Sequence, residues 1–394
     1  MVLGFLTLDL TCLSPGNKTK HSYTYGDSRN PIRLTMKTLA SPALSILLLS
    51  KLVPLLAVTI HVPADQPTIQ QAINAANNGD VVLVSPWIYF EHIDYHGKTI
   101  TVQSAEGAAQ TIIDGSNNGP VVTFQTNEGP ESKLIGFTIQ HGLTTYGSGI
   151  TIFLASPTIS QNIFRDNSGA SAAIDGNISS PLIERNTFIG NRCSPEPNHG
   201  VVVFVNASSP LIFNNVFIWN SCSAINMTLP VGNHPVIANN TIVQNSVGIW
   251  VDAGVPSFTQ LYANNILIEN GVGFHMEFGG PNNAPTWTNN LVFANTINYS
   301  GIADQTGLNG NISVNPLFLP TRSRSDFELE KDSPAIDAGT LSVPGLPSID
   351  FLGKPRVVDG DDNGSALPDI GAYEFIPEAR APSQLVSQEA YIKD

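Results

Sequence analysis

Charge is what this sequence has least of. Lys, Arg, Asp and Glu together make up 13% of 394 residues, about half of what a soluble domain usually carries. The deficit is lopsided, with 18 basic residues against 32 acidic ones and a formal net charge of −14. Between Arg192 and Arg322 there is no Lys or Arg at all. A chain so poor in cations cannot neutralise phosphates, which argues against nucleic acid or an anionic membrane surface as a partner. Cysteine is equally scarce. Three residues exclude a disulfide-rich scaffold, and no CxxC or His/Cys spacing suggests a metal centre. Long apolar runs are missing too. The best one, Ala43 to Ala57, is interrupted by Lys51 and falls short of the roughly 20 residues of a membrane helix. Placed after Met36-Lys37, it reads as a secretory signal peptide over 36–57, removed in a mature chain that starts near Val58. Residues 1–35 show no sustained periodicity and read as a gene-start artefact or a disordered leader.

What the sequence does have is one phrase repeated. Ser156-Pro157-Thr158-Ile159 leads to Asn162-Ile163-Phe164 and closes on Asn167; Ser180-Pro181-Leu182-Ile183 leads to Asn186-Thr187-Phe188 and Asn191. The pair of Asn returns at 215 and 220, 240 and 245, 265 and 270, and 290 and 295. Subtracting neighbouring first-column numbers gives steps of 24, 29, 25, 25 and 25 residues. That period belongs to a solenoid, whose repeats bury apolar surface only against their neighbours. The runs within each repeat are short, β-branched or aromatic, and broken by Gly, Asn and Ser-Pro, so they are strands and not helices. Two columns line up as a continuous core. One runs Ile159, Ile183, Ile212, Ile237, Tyr262, Trp287; the other runs Phe164, Phe188, Phe217, Ile242, Leu267, Val292. The Asn columns suit coil corners, because Asn tolerates left-handed backbone and its amide both donates and accepts between stacked neighbours.

These columns resemble those of the right-handed parallel β-helix proteins of the pectate-lyase-like superfamily, over roughly Val58 to Phe375. The implied fold is all-β, a right-handed parallel β-helix from about 81 to 318 with a short N-terminal capping helix and an irregular C-terminal cap. Residues 58–130 would form the N-terminal cap and first rungs, 131–318 the repeats, 319–376 the C-terminal cap region and 377–394 a tail. The capping helix is expected over Thr68–Ala76, where Thr68 and Gln71 have capping-box spacing and Ile69, Ala72, Ile73 and Ala76 share a face. Ser333-Pro334-Ala335-Ile336-Asp337, Gly353-Lys354-Pro355-Arg356 and Asp369-Ile370-Gly371-Ala372-Tyr373-Glu374 are similar to the C-terminal region of bacterial secreted and surface β-helix proteins that carry varied anchoring signals. The resemblance implies a secreted, extracellular or cell-surface protein whose partner is a polysaccharide or cell-surface glycan. A monomer is expected.

Activity is less legible than fold. The catalytic motifs of pectate lyases, polygalacturonases and pectin esterases are missing. In the strand after each closing Asn, side chains alternate, so one outward column should read Thr151, Asp175, Phe204, Asn226, Trp250, His275. The next outward column reads Phe153, Asn177, Asn206, Thr228, Asp252, Glu277. Trp250, Asp252, His275 and Glu277 therefore meet on adjacent rungs. An aromatic beside two carboxylates and an imidazole suits a sugar ring and proton transfer to its glycosidic oxygen. Asp252, Glu277 and His275 are the candidate catalytic residues; Trp250, Asn226 and Asp175 are candidates for substrate binding. The plain alternative is a solvated polar face. Eliminating across a uronate needs a cation or metal beside the carboxylate, and the central rungs carry no Lys or Arg, so a neutral glycan is favoured over polyuronate. A non-catalytic structural or adhesive rod is the other reading.

Two further features stay open at this stage. Cys193 and Cys222 each follow a closing Asn by two residues, so they occupy equivalent positions on neighbouring rungs about 4.8 Å apart, within reach of a disulfide. Asp359-Gly360-Asp361-Asp362-Asn363-Gly364 matches the first half of an EF-hand-type loop, with oxygens at Asp359, Asp361 and Asn363. The bidentate Glu is absent at Ile370, with Asp369 one residue early. Calcium is the cofactor this loop suggests.

Overall fold

Each repeat folds as three short strands separated by tight bends, and equivalent strands of successive repeats pair in parallel. The structure, a computed structural model, describes residues 57–377 apart from 194–198, 229–232, 253–259, 278–284 and 321–326, together with an antiparallel pairing of Thr24–Tyr25 with Ile32–Arg33. The expected signal peptide up to residue 56 and the tail from 378 lie outside the described residues.

Three parallel sheets of ten, nine and nine strands enclose one core. The first sheet begins at Thr59–Val62 and ends at Thr286–Thr288; the second runs from Trp87–Tyr89 to Leu291–Phe293; the third runs from Ile93–Asp94 to Ile297–Ser300. The coil thus starts one strand before the expected residue 81, because Thr59–Val62 pairs in register with Val81–Val84. The two core columns stack as the repeat requires. Ile183 pairs with Ile212 and Phe188 with Phe217, and the Phe164, Phe188 and Phe217 rings stack with centroids 4.8 and 4.5 Å apart. These side chains are fully buried.

Both Asn columns are in register across all six rungs. Asn186 is representative: its backbone N–H and its Nδ2 both donate to Oδ1 of Asn215 (2.9 and 3.1 Å), and Nδ2 also donates to the Ile159 carbonyl at 2.9 Å. The corner geometry differs from the sequence expectation in one respect. The left-handed residue is the one before each Asn, namely Gln161, Arg185, Asn214, Asn239, Asn264 and Asn289 in the first column. The bend is made there, and the Asn that follows meets the backbone groups that the bend leaves without partners. The first column also runs one step further than the repeat shows, since Asn290 donates to Oδ1 of Asn311.

The N-terminal helix spans Ile69–Ala75, with the Thr68 side chain accepting from the Gln71 N–H as its spacing implies. Ile69, Ala72 and Ile73 are fully buried against the first rungs. The sequence reading missed two clamps. Glu91 accepts from the N–H groups of Ile69 and Gln70 (2.9 Å each), and Lys98 Nζ donates to the carbonyls of Ile73, Asn74 and Ala76. Both ends of the helix are therefore satisfied by side chains of the following strands.

Just past the last rung of the coil, the chain packs Ile302 on the core and continues the first Asn column through Asn311. It then turns back along the flank. Phe327, Leu329, Ile336, Ile370 and Tyr373 pack on the outward side chains of the second sheet, among them Val216, Ile218, Val243 and Ile268. Val343 covers Phe213, Val236 and Ala263 of the first sheet. The segment expected as a cap is a lateral strap. It is pinned by side chains at the coil corners, where Asn214 Nδ2 donates to the Ile349 carbonyl and Asn239 Nδ2 to that of Asp369.

Cys193 and Cys222 are bridged, with Cα atoms 5.6 Å apart. The loop between them spans 29 positions, so the chain-entropy account puts the bridge at about 3–4 kcal/mol. Cys193→Ser with Cys222→Ser is expected to lower the thermal midpoint by several degrees under oxidising conditions, and added dithiothreitol should no longer affect it. A double variant that melts with wild type would remove the bridge from the stability of the coil.

Candidate functional site on the third sheet

The flank strap decides which surface is open. It buries the second sheet's outer side over the later rungs and part of the first sheet's, leaving the third sheet's outer face as the place where polar side chains meet solvent. The long strands of this sheet, Ser171–Asn177, Gly200–Val205, Ser223–Thr228, Val247–Asp252 and Val272–Glu277, carry that face.

The register places Trp250 beside His275 and Asp252 beside Glu277, as the alternation requires. One rung of the sequence alignment was displaced. Val202, not Val203, pairs with Ile174 and Ile225, so Val203 and Val205 face outward and Phe204 is fully buried. Val201-Val202-Val203 offers no polar–apolar contrast from which to read the phase. The structure fixes it by volume: Gly176 opposite Phe204 has no Cβ, and one built there would meet the phenyl ring at 1.9 Å.

Trp250 and His275 stack with ring centroids 3.9 Å apart. One indole face is therefore taken by the imidazole and is not the open sugar platform that the sequence suggested. Its Nε1–H is buried with no hydrogen-bond partner among the described residues, an arrangement that costs free energy unless a ligand or water supplies an acceptor. His275 Nδ1 lies 3.1 Å from the Ser300 hydroxyl, and Nε2 lies 3.8 Å from Glu277. Burial lowers the imidazole pKa against the opposing pull of Glu277, so His275 is neutral at pH 7 and does not cancel the carboxylate charge. Asp252 moves the other way. Partial burial raises its pKa, and the charge of Glu277 raises it further. The two residues sit on adjacent strands with Cβ atoms roughly 5 Å apart, and Asp252 is thereby biased toward keeping its proton.

The two remaining substrate-binding candidates fare differently. Asn226 points outward but is fully buried, with the Thr228 hydroxyl 3.2 Å from its Oδ1; a ligand does not touch it without displacing its cover. Asp175 is partly exposed and accepts from the Ser171 hydroxyl at 2.7 Å. Burial raises its pKa, and the Ser171 bond opposes that rise.

The acidic loop lies far along the chain, in the flank strap. Asp359 accepts from the N–H groups of Asn363 and Gly364 (3.0 and 2.9 Å), Asp361 Oδ1 accepts from that of Asn363 at 3.1 Å, and Asn363 Nδ2 donates to Asp361 Oδ2. Asp337, which the loop pattern did not include, brings a third carboxylate; ligand atoms of Asp337, Asp359 and Asp361 lie within 4.8 Å of one another. An all-oxygen donor set of this kind fits a hard divalent cation such as calcium.

Comparison with known proteins agrees on the fold. Residues 111–290 match the family model of the right-handed β-helix region. Among solved structures, the chain is similar to pectate lyase Pel9A, at 14% identity and a TM-score of 0.41, covering 78% of this chain and 91% of that one. It is also similar to a pectin methylesterase mutant in complex with a hexasaccharide, at 10% identity and a TM-score of 0.30 over 66% and 92% of the two chains. A carrot pectin methylesterase matches at 14% identity and a TM-score of 0.29 over 66% and 88%. No curated protein sequence matches the chain.

Proposed function

We propose that this right-handed parallel β-helix protein is secreted and binds carbohydrate on the outer face of its third sheet, where Asp252 and Glu277 process it by proton transfer. The observation that carries the reading is the in-register pair Asp252–Glu277, set beside Trp250 and His275 on the face that the flank strap leaves uncovered. The pair has the chemistry of a glycoside-cleaving site. One carboxyl holds a proton for the leaving oxygen, the other stays ionised for the anomeric centre, and the one-rung strand spacing of about 4.8 Å is nearer the ~5–5.5 Å of retaining enzymes than the ~6.5–9.5 Å of inverting ones. The orphan indole N–H offers a donor to a sugar hydroxyl. A neutral glycan is favoured because this face has no Lys or Arg to meet a uronate, the stretch from Arg192 to Arg322 lacking both. The test is a screen of polysaccharides for reducing-end release by the wild-type chain, repeated with the Asp252 and Glu277 variants described in the Discussion. Release that survives both substitutions places the chemistry elsewhere.

For the acidic loop, the proposal is that Asp337, Asp359, Asp361 and Asn363 hold calcium that stabilises the flank strap. A cation bound only by the folded chain raises stability by mass action. Excess chelator is expected to lower the melting temperature of wild type and to leave Asp361→Ala unmoved. An unchanged wild-type melt removes calcium from the account.

A further inference from the structure

On the third sheet's outer face, toward the N-terminal end, the surface sinks into a cleft of about 750 Å³, a size typical of small-molecule sites. Its Asp175 lies three strand pairings from Trp250, through Asp175–Val203, Val203–Asn226 and Asn226–Trp250, or roughly 14 Å, and Thr228 at its near end pairs with Asp252. Two aromatic side chains stand at its rim, Tyr146 and Phe153, 63% and 42% exposed. Val203 and Val205 supply apolar lining where the neighbouring rungs carry polar side chains. The polar groups are few and converge: Asp175 and Asn177 from one strand and Thr228 from another, with His199 beside them.

The chemistry of this lining is selective. No Lys or Arg is among the described residues that form the cleft, so an anionic ligand would be desolvated there with no cation to pair it. A wholly apolar ligand would leave Asp175, Asn177 and Thr228 without the partners they have in water. A sugar ring meets both demands, since its faces are apolar and its rim carries hydroxyls, and exposed aromatic rings stack on such faces. Asp175 is already fixed for one role, because the Ser171 hydroxyl, itself buried, occupies one of its oxygens at 2.7 Å and leaves the other toward the cleft.

We propose that this cleft is a second carbohydrate subsite, in which a neutral sugar ring lies against Tyr146 and Phe153 and hydrogen-bonds to Asp175. The assignment rests on the third-sheet reading for the class of ligand and on the cleft alone for its position. Burial, which raises the Asp175 pKa, keeps the carboxyl protonated to higher pH than an exposed Asp. Binding is therefore full below that raised value and weakens as pH rises through it. The other titratable groups on the cleft are His199 and Tyr146.

The test is calorimetric titration of the full chain with β-1,4-linked hexasaccharides of glucose, xylose and mannose, and with hexagalacturonate as the charged comparison. At least one neutral hexasaccharide is expected to bind and hexagalacturonate to bind at least tenfold more weakly. Tyr146→Ala, an exposed substitution that leaves the fold in place, should weaken binding up to about tenfold. Asp175→Ala should weaken it several-fold, whereas Asp175→Asn, which keeps a donor but cannot ionise, should retain affinity and lose the alkaline decline. The variant carrying both Asp252→Asn and Glu277→Gln should keep the Tyr146 and Asp175 dependence, so that failure of the catalytic reading and failure of this one are separable. The proposal is overturned if no neutral hexasaccharide binds, if hexagalacturonate binds more tightly, or if Asp175→Asn binds as poorly as Asp175→Ala.

Discussion

Asp252→Asn and Glu277→Gln are each expected to reduce turnover of the cleaved glycan by about 10²–10⁴-fold, the usual worth of a positioned general acid or base. Their melting temperatures should stay close to wild type. The reasoning is local. Both side chains are on the solvent side of their strands, in register on adjacent rungs, and neither contributes to the core beneath them, which is built here from Ile249, Val251, Phe274 and Met276. Removing one carboxyl also removes the repulsion that raises the pKa of Asp252. Glu277→Gln should therefore shift downward the alkaline limb of the residual pH–rate profile, the limb on which Asp252 loses its proton. A variant that loses activity together with its fold would point to a structural role, and circular dichroism separates the two.

The second large effect is on stability. Arg356→Met is expected to cost about 3–5 kcal/mol, because it leaves the buried acceptors that the guanidinium serves without their donor. Arg356 is wholly buried. It donates to the carbonyls of Gly371 and Ala372, to Asn214 Oδ1 on the coil and to Glu374. One guanidinium thus ties two parts of the flank strap to each other and to a corner of the coil 142 positions earlier. Glu374 and Asp369 sit beside it, and burial pushes both carboxyls above the usual range, with the charge of Asp369 adding to the rise at Glu374 and that of Asp337 to the rise at Asp369. A raised carboxyl pKa contributes stability that is complete below the unfolded value near 4 and is lost as pH rises through the folded one. The strap should accordingly loosen at alkaline pH, with protease cleavage in residues 349–375 appearing before the coil unfolds. Equal resistance of wild type and Arg356→Met to protease at pH 9 would contradict this.

The coil was legible in the sequence because its interactions recur at a fixed step. Phe188 and Asn186 can be read from Phe164 and Asn162 without any knowledge of the fold. The strap was not legible as a strap. Its partners, such as Asn214 for Arg356 and Thr241 for the Ala372 N–H, are remote in sequence and obey no period. The outward columns were readable where polar and apolar residues alternate, as in Trp250-Val251-Asp252, and failed by one position at the uniform run of valines. The Asp175 cleft escaped notice for a related reason. Its aromatic wall and its histidine come from bends, at Tyr146 and His199, where alternation gives no direction. The left-handed corner residues were misplaced by one because the Asn that follows is invariant across the rungs, whereas the bend position holds Gln161 and Arg185 before it settles on Asn at 214, 239, 264 and 289.

The most direct measurement is a crystal structure of the chain carrying Asp252→Asn and Glu277→Gln, soaked at saturating concentration with the neutral hexasaccharide that binds most tightly. The sugar is expected on the outer face of the third sheet, between Phe153 at one end and Glu277→Gln at the other, with Trp250 Nε1 donating to one of its oxygens. A hexasaccharide seated on the first sheet or the flank strap, or a saturated crystal with no sugar on the third sheet, would contradict the assignment of carbohydrate to this face.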